Sequence, residues 1–140
     1  MISNLIEYFL PEQEYYLNEI EYKKIDIFED ESTLTCEDQI DVELDKQIGI
    51  RVIVTREIYF EPESIFKIKV SFGTDLRFNP ENVMEYKWDE LNLAEEFKEN
   101  GDFVTRNLMS RISLLIAQIT SSFGQQPIVT PPGILSLNNK

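Results

Sequence analysis

The stretch from Gly101 to the C-terminus most constrains the fold, because it joins the longest periodic segment of the 140-residue chain to its strongest helix-ending signals. Asp102 can cap a helix, Gly124 stands where a helix typically ends, and neither Gly nor Pro lies between them. Apolar residues at offsets of three and four predict one stripe, formed by Leu108, Ile112, Leu115, Ile116, Ile119 and Phe123. We therefore predict a long helix over residues 102–124, followed by a proline-rich segment over residues 125–140.

The opposite face of this helix is almost uncharged, although the chain as a whole carries a net charge of −13. Residues 1–101 contain 25 acidic and 10 basic residues, and residues 102–140 contain one acidic and three basic residues. The two parts therefore carry −15 and +2. The neutral face consists mainly of Thr105, Asn107, Ser110, Ser113, Gln118, Thr120 and Ser121. This pattern predicts burial on two sides, against the chain's own sheet and against a second subunit; the alternative is a surface helix with a neutral face.

Composition narrows the classes of partner and location. A net charge of −13 and a pI near 4.3 argue against nucleic acid and anionic membranes, and favour basic segments of unfolded chains. The single cysteine, Cys36, cannot form an intrachain disulfide, which fits a cytoplasmic protein. The N-terminus lacks the features of a secretory signal, and no apolar run is long enough to span a membrane.

The remaining segments predict a single α+β domain. Residues 1–12 form a short helix or an arm, and residues 14–78 contain about four alternating apolar strands. Short turns between strands predict an antiparallel meander. Residues 80–100 form an acidic helical connection to the long helix, which packs on one face of the sheet.

Catalytic chemistry is poorly represented. The chain has no histidine and one cysteine, so it lacks the commonest general base and cannot build a Cys/His zinc site. Phosphate-binding and nucleophile-elbow motifs are absent. The acidic residues around Glu29 and Asp38 lie in a polar, turn-like stretch, where a solvated loop is favoured over an acid/base pair. We predict a protein that is not an enzyme and needs neither cofactor nor metal.

The C-terminal pattern resembles the SecB family of export chaperones. An apolar helix containing Ser-Arg-Ile-Ser is followed by a glycine and then by Pro-Ile-Val-Thr-Pro-Pro-Gly-Ile. Upstream, the strands resemble those of the family in pattern, with the glycine of the fourth strand at Gly73. The resemblance implies a four-stranded antiparallel sheet backed by a long helix, in a cytosolic homodimer or tetramer that holds unfolded polypeptides without a cofactor.

The sequence departs from this family in three respects. No second C-terminal helix follows the proline-rich segment, and the acidic connection is longer than in the family. Of the acidic positions by which SecB engages the SecA motor, only Glu29 matches, while Ile25 and Lys69 occupy others. The resemblance therefore implies the fold more than the export role, and engagement of a SecA-type motor is not expected.

Two functional hypotheses follow. The first is a SecB-like chaperone for unfolded polypeptides; the alternative is a SecB-fold module that serves one dedicated protein partner or a structural role. Candidate client-binding residues are Tyr22, Ile58, Phe60, Phe66, Trp88, Ile128 and Ile134. Candidate subunit-interface residues are Ile68, Val70, Phe72, Leu108, Ile112, Ile116 and Ile119.

Overall fold

The computed structural model describes residues 2–82, 86–123 and 126–134. In this part of the chain, a short 3-10 turn at Leu5–Tyr8 precedes four strands and two α-helices. The strands are β1 (Glu14–Lys24), β2 (Thr33–Asp45), β3 (Gly49–Glu61) and β4 (Phe66–Arg77). The helices are α1 (Leu93–Asn100) and α2 (Asp102–Ser121). The predicted α+β class and four-stranded antiparallel sheet are confirmed.

The strand order is β1-β4-β3-β2, with every neighbouring pair antiparallel. The predicted meander is therefore right for β2, β3 and β4 and wrong for β1, which pairs with β4. The cause lies in residues 25–32, a connection longer than the two to five residues typical of a hairpin loop. Its start is bound to the residue preceding β4, since Ile25 N donates to Ile65 O at 2.8 Å and Ile65 N to Ile27 O at 2.9 Å.

The sheet has one face covered by helices, the helix face, and one outer face. Alternation along β3 and β4 sends Val52, Val54, Ile68 and Val70 to the helix face, where all four side chains are fully buried. Helix α2 lies over β4 and β3 and completes this core with Leu108, Ile112 and Ile116. The outer face of β2 is acidic, as predicted, because Asp41, Glu43 and Asp45 are exposed.

The helices differ from expectation in three details. Gly101 occupies the cap position of α2, and the carboxylate of Asp102 instead accepts a hydrogen bond from Arg106 Nε at 3.1 Å. Thr105 and Thr120, predicted to face outward, are buried, and their hydroxyls are satisfied there by donating to carbonyls of the preceding turn.

In the described residues of the predicted acidic helical connection over residues 80–100, the α-helix is confined to α1. A 3-10 turn at Trp88–Glu90 precedes α1, which begins where the Asn92 side chain accepts from Glu95 N at 3.2 Å. Gly124, the predicted helix stop, lies outside the described residues. Within the described ranges, no helix combines the length and apolarity needed to cross a bilayer.

A charged pair interrupts the apolar helix face at its centre. Arg56 of β3 stands directly opposite Asp38 of β2, and both side chains are completely shielded from solvent. Arg56 Nε and Nη2 each donate to one carboxylate oxygen of Asp38 at 2.7 Å, which is a bidentate pair. Asp38 therefore lies on a buried strand position, and the predicted turn-like loop at this residue is wrong.

Replacing Arg56 alone is expected to destabilise the protein strongly. In Arg56→Met, the carboxylate of Asp38 remains buried without its cation, and breaking such a pair costs about 3–5 kcal/mol. The double variant Arg56→Met/Asp38→Leu is expected to recover most of this loss, because no charge is left buried. Urea denaturation measures both variants.

Arg51→Met provides the matched control, since Arg51 lies on the same strand and pairs with Asp75 at 2.8 Å in a half-exposed position. Its unfolding midpoint is expected to stay close to that of the parent, because exposed ion pairs contribute little. A double variant no more stable than Arg56→Met would contradict the coupling of the two buried charges.

Candidate functional site

The helix face is covered unevenly, and its uncovered part lies along β1. Helix α2 packs over β4 and β3, whereas β1 forms an edge of the sheet beside it. Three apolar side chains on this side of β1 are about half exposed: Leu17 at 48%, Ile20 at 47% and Tyr22 at 46%. Exposed aliphatic and aromatic side chains adjacent to one another are typical of interaction surfaces rather than of a finished core.

Helix α2 is joined to β1 at one end of this uncovered strip. The guanidinium of Arg111 lies over the Tyr15 ring at 4.5 Å, and Asn107 Nδ2 donates to the Tyr15 hydroxyl at 3.0 Å. Partial burial raises the pKa of Tyr15, although the charge of Arg111 opposes the shift. The phenol therefore stays neutral at physiological pH and fixes the position of α2 beside β1.

Four aromatic rings close the other end of the strip; we call Tyr22, Phe60, Phe66 and Phe123 the aromatic cluster. Phe66 is at its centre, with ring centroids 6.1 Å from Tyr22, 5.3 Å from Phe60 and 5.8 Å from Phe123. Tyr22 and Phe123 are 5.3 Å apart and remain 46% and 40% exposed, respectively. The cluster thus has a buried base and an open top, which suits a bound apolar side chain.

Three of the seven predicted client-binding residues, Tyr22, Phe60 and Phe66, meet in this cluster. Phe123 is its fourth member, although its sequence pattern predicted only a place in the apolar stripe of the long helix. Ile58 and Trp88 do not join them as surface residues: Ile58 is fully buried and Trp88 is 6% exposed. Trp88 packs with Phe9 and Phe78 near the end of β4, away from Phe66 at its start. A client-binding role for these two side chains in the folded chain is therefore wrong.

The predicted subunit-interface residues also need correction. Ile68, Val70, Leu108, Ile112 and Ile116 are all fully shielded inside the core of a single chain. They cannot contact another subunit without unfolding, because periodic apolar residues on facing elements pack against each other first. The remaining two candidates are Phe72 and Ile119, which are half-buried at the core margin.

Residues 126–134, which we call the C-terminal segment, lie against the charged pair. Arg56 Nη1 donates to Thr130 Oγ1 at 2.8 Å and to Pro131 O at 2.7 Å, and Nη2 donates to Gly133 O at 3.0 Å. Ser113 of α2 donates to Pro131 O at 3.1 Å. Arg56 therefore joins two strands, one helix and the C-terminal segment through a single side chain.

The two isoleucines of the C-terminal segment, Ile128 and Ile134, pack partly buried against the core. Ile128 N donates to Thr120 Oγ1 at 2.7 Å, which places the start of the segment beside the last turn of α2. Both residues were predicted to bind clients; in this structure they contact their own chain. Val129 between them points away and is 78% exposed.

The nearest candidate nucleophile is not activated. Cys36 lies on the helix face two residues before Asp38, and burial raises the pKa of its thiol, with Arg56 opposing the shift. Within the described ranges, no group of three or more Cys, Asp or Glu side chains is arranged to hold a metal ion. The local chemistry is that of contact and hydrogen bonding.

The sequence contains a signal for the Arg56 site in the phase of two strands. Arg56 falls in the inward phase of β3, between Val54 and Ile58, and Asp38 falls in the inward phase of β2, two residues before Ile40. A cation and an anion in the buried phases of consecutive strands indicate an internal pair.

Sequence comparison gives no match, either among protein-family models or among curated proteins. Among solved structures, the chain is similar to the Mycobacterium tuberculosis Rv1957 SecB-like chaperone, solved in complex with a ChAD peptide from the Rv1956 HigA1 antitoxin. The identity is 15%, the TM-score is 0.64 and the similarity covers 88% of both chains. A protein of unknown function from Streptococcus agalactiae is similar over 85% of this chain and 94% of its own, with 8% identity and a TM-score of 0.44.

The similarity to Rv1957 agrees with the resemblance found in the sequence. It covers most of a chain whose described residues form a four-stranded antiparallel sheet and two α-helices. The fold of this protein is that of the SecB-like chaperones.

Proposed function

We propose that the protein binds extended segments of partner polypeptides at the aromatic cluster and along the adjacent half-exposed side chains of β1. The observation that carries the proposal is an open row of apolar side chains, Leu17, Ile20 and Tyr22, that ends at partly exposed rings. Ile20 and Tyr22 are alternate residues of β1, and the β-bulge between Leu17 and Glu19 brings Leu17 into the same row, which runs along the strand as an extended peptide would. Binding, without a catalytic step, is the activity that this surface supports.

Charge supports a polypeptide as the ligand. The outer face of β2 carries exposed acidic residues, and the chain as a whole has a net charge of −13. Basic residues flanking an apolar client segment would be attracted to such a body, while nucleic acid would be repelled. The same charge would keep a loaded complex soluble.

A module dedicated to one partner is the second candidate. The neighbour Rv1957 is described in complex with a peptide from an antitoxin. In addition, the described part of the chain after α2 contains no second helix up to residue 134, so a broad peptide groove bordered by such a helix is not built there. Both features favour a narrow choice of client.

We further propose a homo-oligomer, a dimer or a tetramer, formed through the outward side of α2. That side carries Asn107, Ser110 and Gln118, and it presents Leu114 at 61% exposure. A neutral helix surface with an exposed leucine suits contact with a second copy better than contact with water. A cytoplasmic location is proposed as well, supported by the lone Cys36, which has no intrachain disulfide partner.

The client surface is tested by Ile20→Asp, with Ile48→Asp as its matched control. Ile20 is 47% exposed beside the aromatic cluster, and Ile48 is 59% exposed in the turn between β2 and β3. A charge introduced at Ile20 is expected to lower client affinity about tenfold or more, since burying an unpaired carboxylate is costly. The control is expected to behave like the parent.

The measurement is light scattering of several unrelated unfolded proteins during aggregation, at near-stoichiometric ratios of the purified protein. A general chaperone is expected to suppress aggregation of several, and a dedicated module to protect one or none. If Ile20→Asp suppresses aggregation as well as the parent does, the placement of the client surface on β1 is contradicted.

The oligomer is tested by Leu114→Asp, again with Ile48→Asp as control. A carboxylate in the centre of a neutral interface is expected to dissociate the assembly into 16.4 kDa chains while leaving the fold intact. Multi-angle light scattering reports the mass, and circular dichroism reports the fold. A parent protein that is already monomeric at micromolar concentration would contradict this proposal.

A further inference from the structure

The C-terminal segment is bound in an unusual way for a piece of a folded core. Among the described residues, no backbone-to-backbone hydrogen bond joins residues 126–134 to the rest of the chain. Its polar attachments are made by side chains of the body, chiefly Arg56, Ser113 and Thr120. The segment therefore resembles a bound peptide more than a strand or a helix of the fold.

Arg56 recognises this segment mostly through its backbone. Two of its three acceptors there are the main-chain carbonyls of Pro131 and Gly133, at 2.7 and 3.0 Å. Main-chain carbonyls are present in every polypeptide, so these two contacts do not depend on side chains, and the bend at Pro132 and Gly133 brings both carbonyls to the guanidinium. The third acceptor, Thr130 Oγ1, is the only contribution of a side chain of the segment to Arg56 among the described residues.

Apolar contacts add a second element of recognition. Ile128 and Ile134 pack partly buried against the core on either side of the residues that Arg56 holds. Pro127, Pro131 and Pro132 disfavour a helix and remove three amide donors that would otherwise need partners, and the backbone bends at Pro132 and Gly133. The chemistry of the occupant is thus a non-helical, proline-containing segment with a branched aliphatic residue at each end.

The buried pair explains why this site would accept a replacement segment. Arg56 and Asp38 are fully shielded, and the carbonyls of residues 131 and 133 satisfy donors of Arg56 that Asp38 does not. When the C-terminal segment leaves, these donors are open to water, and a segment that offers carbonyls at the same spacing replaces that water and restores the original hydrogen bonds. A partner segment of the same kind supplies such carbonyls.

We propose that Arg56 and the surface beneath the C-terminal segment form a site that binds the backbone of an aliphatic, proline-containing segment of a partner polypeptide, and that residues 126–134 occupy this site in competition. The inference rests on the proposed function and extends it with a regulatory element. The affinity for a client at this site depends on how often residues 126–134 leave it. The apparent dissociation constant rises when the state with an unoccupied site is rarely populated.

The test uses a fluorescent peptide with the sequence of residues 126–134, QPIVTPPGI, and the full-length protein. Thr130→Val removes one acceptor of Arg56 without changing side-chain size, which loosens the internal competitor. The peptide is expected to bind this variant about tenfold more tightly than the parent in fluorescence anisotropy. Val129→Thr is the matched control, since Val129 is 78% exposed, and it is expected to bind the peptide like the parent.

Two further measurements keep the outcome decisive. Arg56→Met/Asp38→Leu, checked for folding by circular dichroism, is expected to lose peptide binding because its carbonyl-binding donors are gone. If Thr130→Val fails to fold, Ile128→Ala loosens the same segment through its apolar contact. Equal peptide affinity of the loosened variant and of Val129→Thr, or undiminished binding by the folded double variant, would overturn the proposal.

These results separate the inference from the proposed function. The peptide assay does not depend on suppression of aggregation. Ile20 lies on β1, whereas the residues varied in the peptide assay lie on β2, on β3 and in the C-terminal segment. If the peptide affinities contradict the proposal while Ile20→Asp still weakens the suppression of aggregation, only the competition by the C-terminal segment is rejected. If the peptide affinities agree with the proposal while Ile20→Asp suppresses aggregation as well as the parent does, only the client surface on β1 is rejected.

Discussion

The bidentate pair between Arg56 and Asp38 is the interaction on which the arrangement around the site depends. Two charges at buried positions of adjacent strands need hydrogen-bonding partners inside the protein. Asp38 accepts hydrogen bonds from Nε and Nη2 of Arg56, which leaves further N–H groups of the guanidinium to donate elsewhere. The other donors reach α2 and the C-terminal segment. One arginine therefore fixes the position of a segment that lacks secondary structure of its own.

The position of α2 divides the rest of the helix face into closed and open parts. Because α2 lies over β4 and β3, the apolar residues of these central strands are fully buried, and the edge strands receive less cover. On the β2 side, α1 contacts the strand. On the β1 side, Leu17, Ile20 and Tyr22 stay half exposed. An exposed apolar strip thus arises because one helix is too narrow to cover four strands.

The sequence allowed the strands and the long helix to be predicted because both depend on local periodicity, which Val52, Val54, Ile68 and Val70 display plainly. The pairing of β1 with β4 could not be predicted in the same way, since it depends on a contact between residues distant along the chain. Several candidate site residues were wrong for a related reason. The sequence pattern around Ile58 and Ile116 is the same for an apolar residue at a binding surface as for one in the core. Only the packing of the folded chain shows that both residues are in the core.

The aromatic cluster and the C-terminal segment are close enough along α2 to influence each other. Thr120 accepts a hydrogen bond from Ile128 N, and Phe123, three residues later, supplies one ring of the cluster. Movement of the C-terminal segment away from Thr120 removes a contact at the last turn of α2, next to Phe123. A client that inserts a side chain between Tyr22 and Phe123 acts on the same turn from the other side. The two proposed binding places therefore share one helix end, and any coupling free energy between them would act equally in both directions.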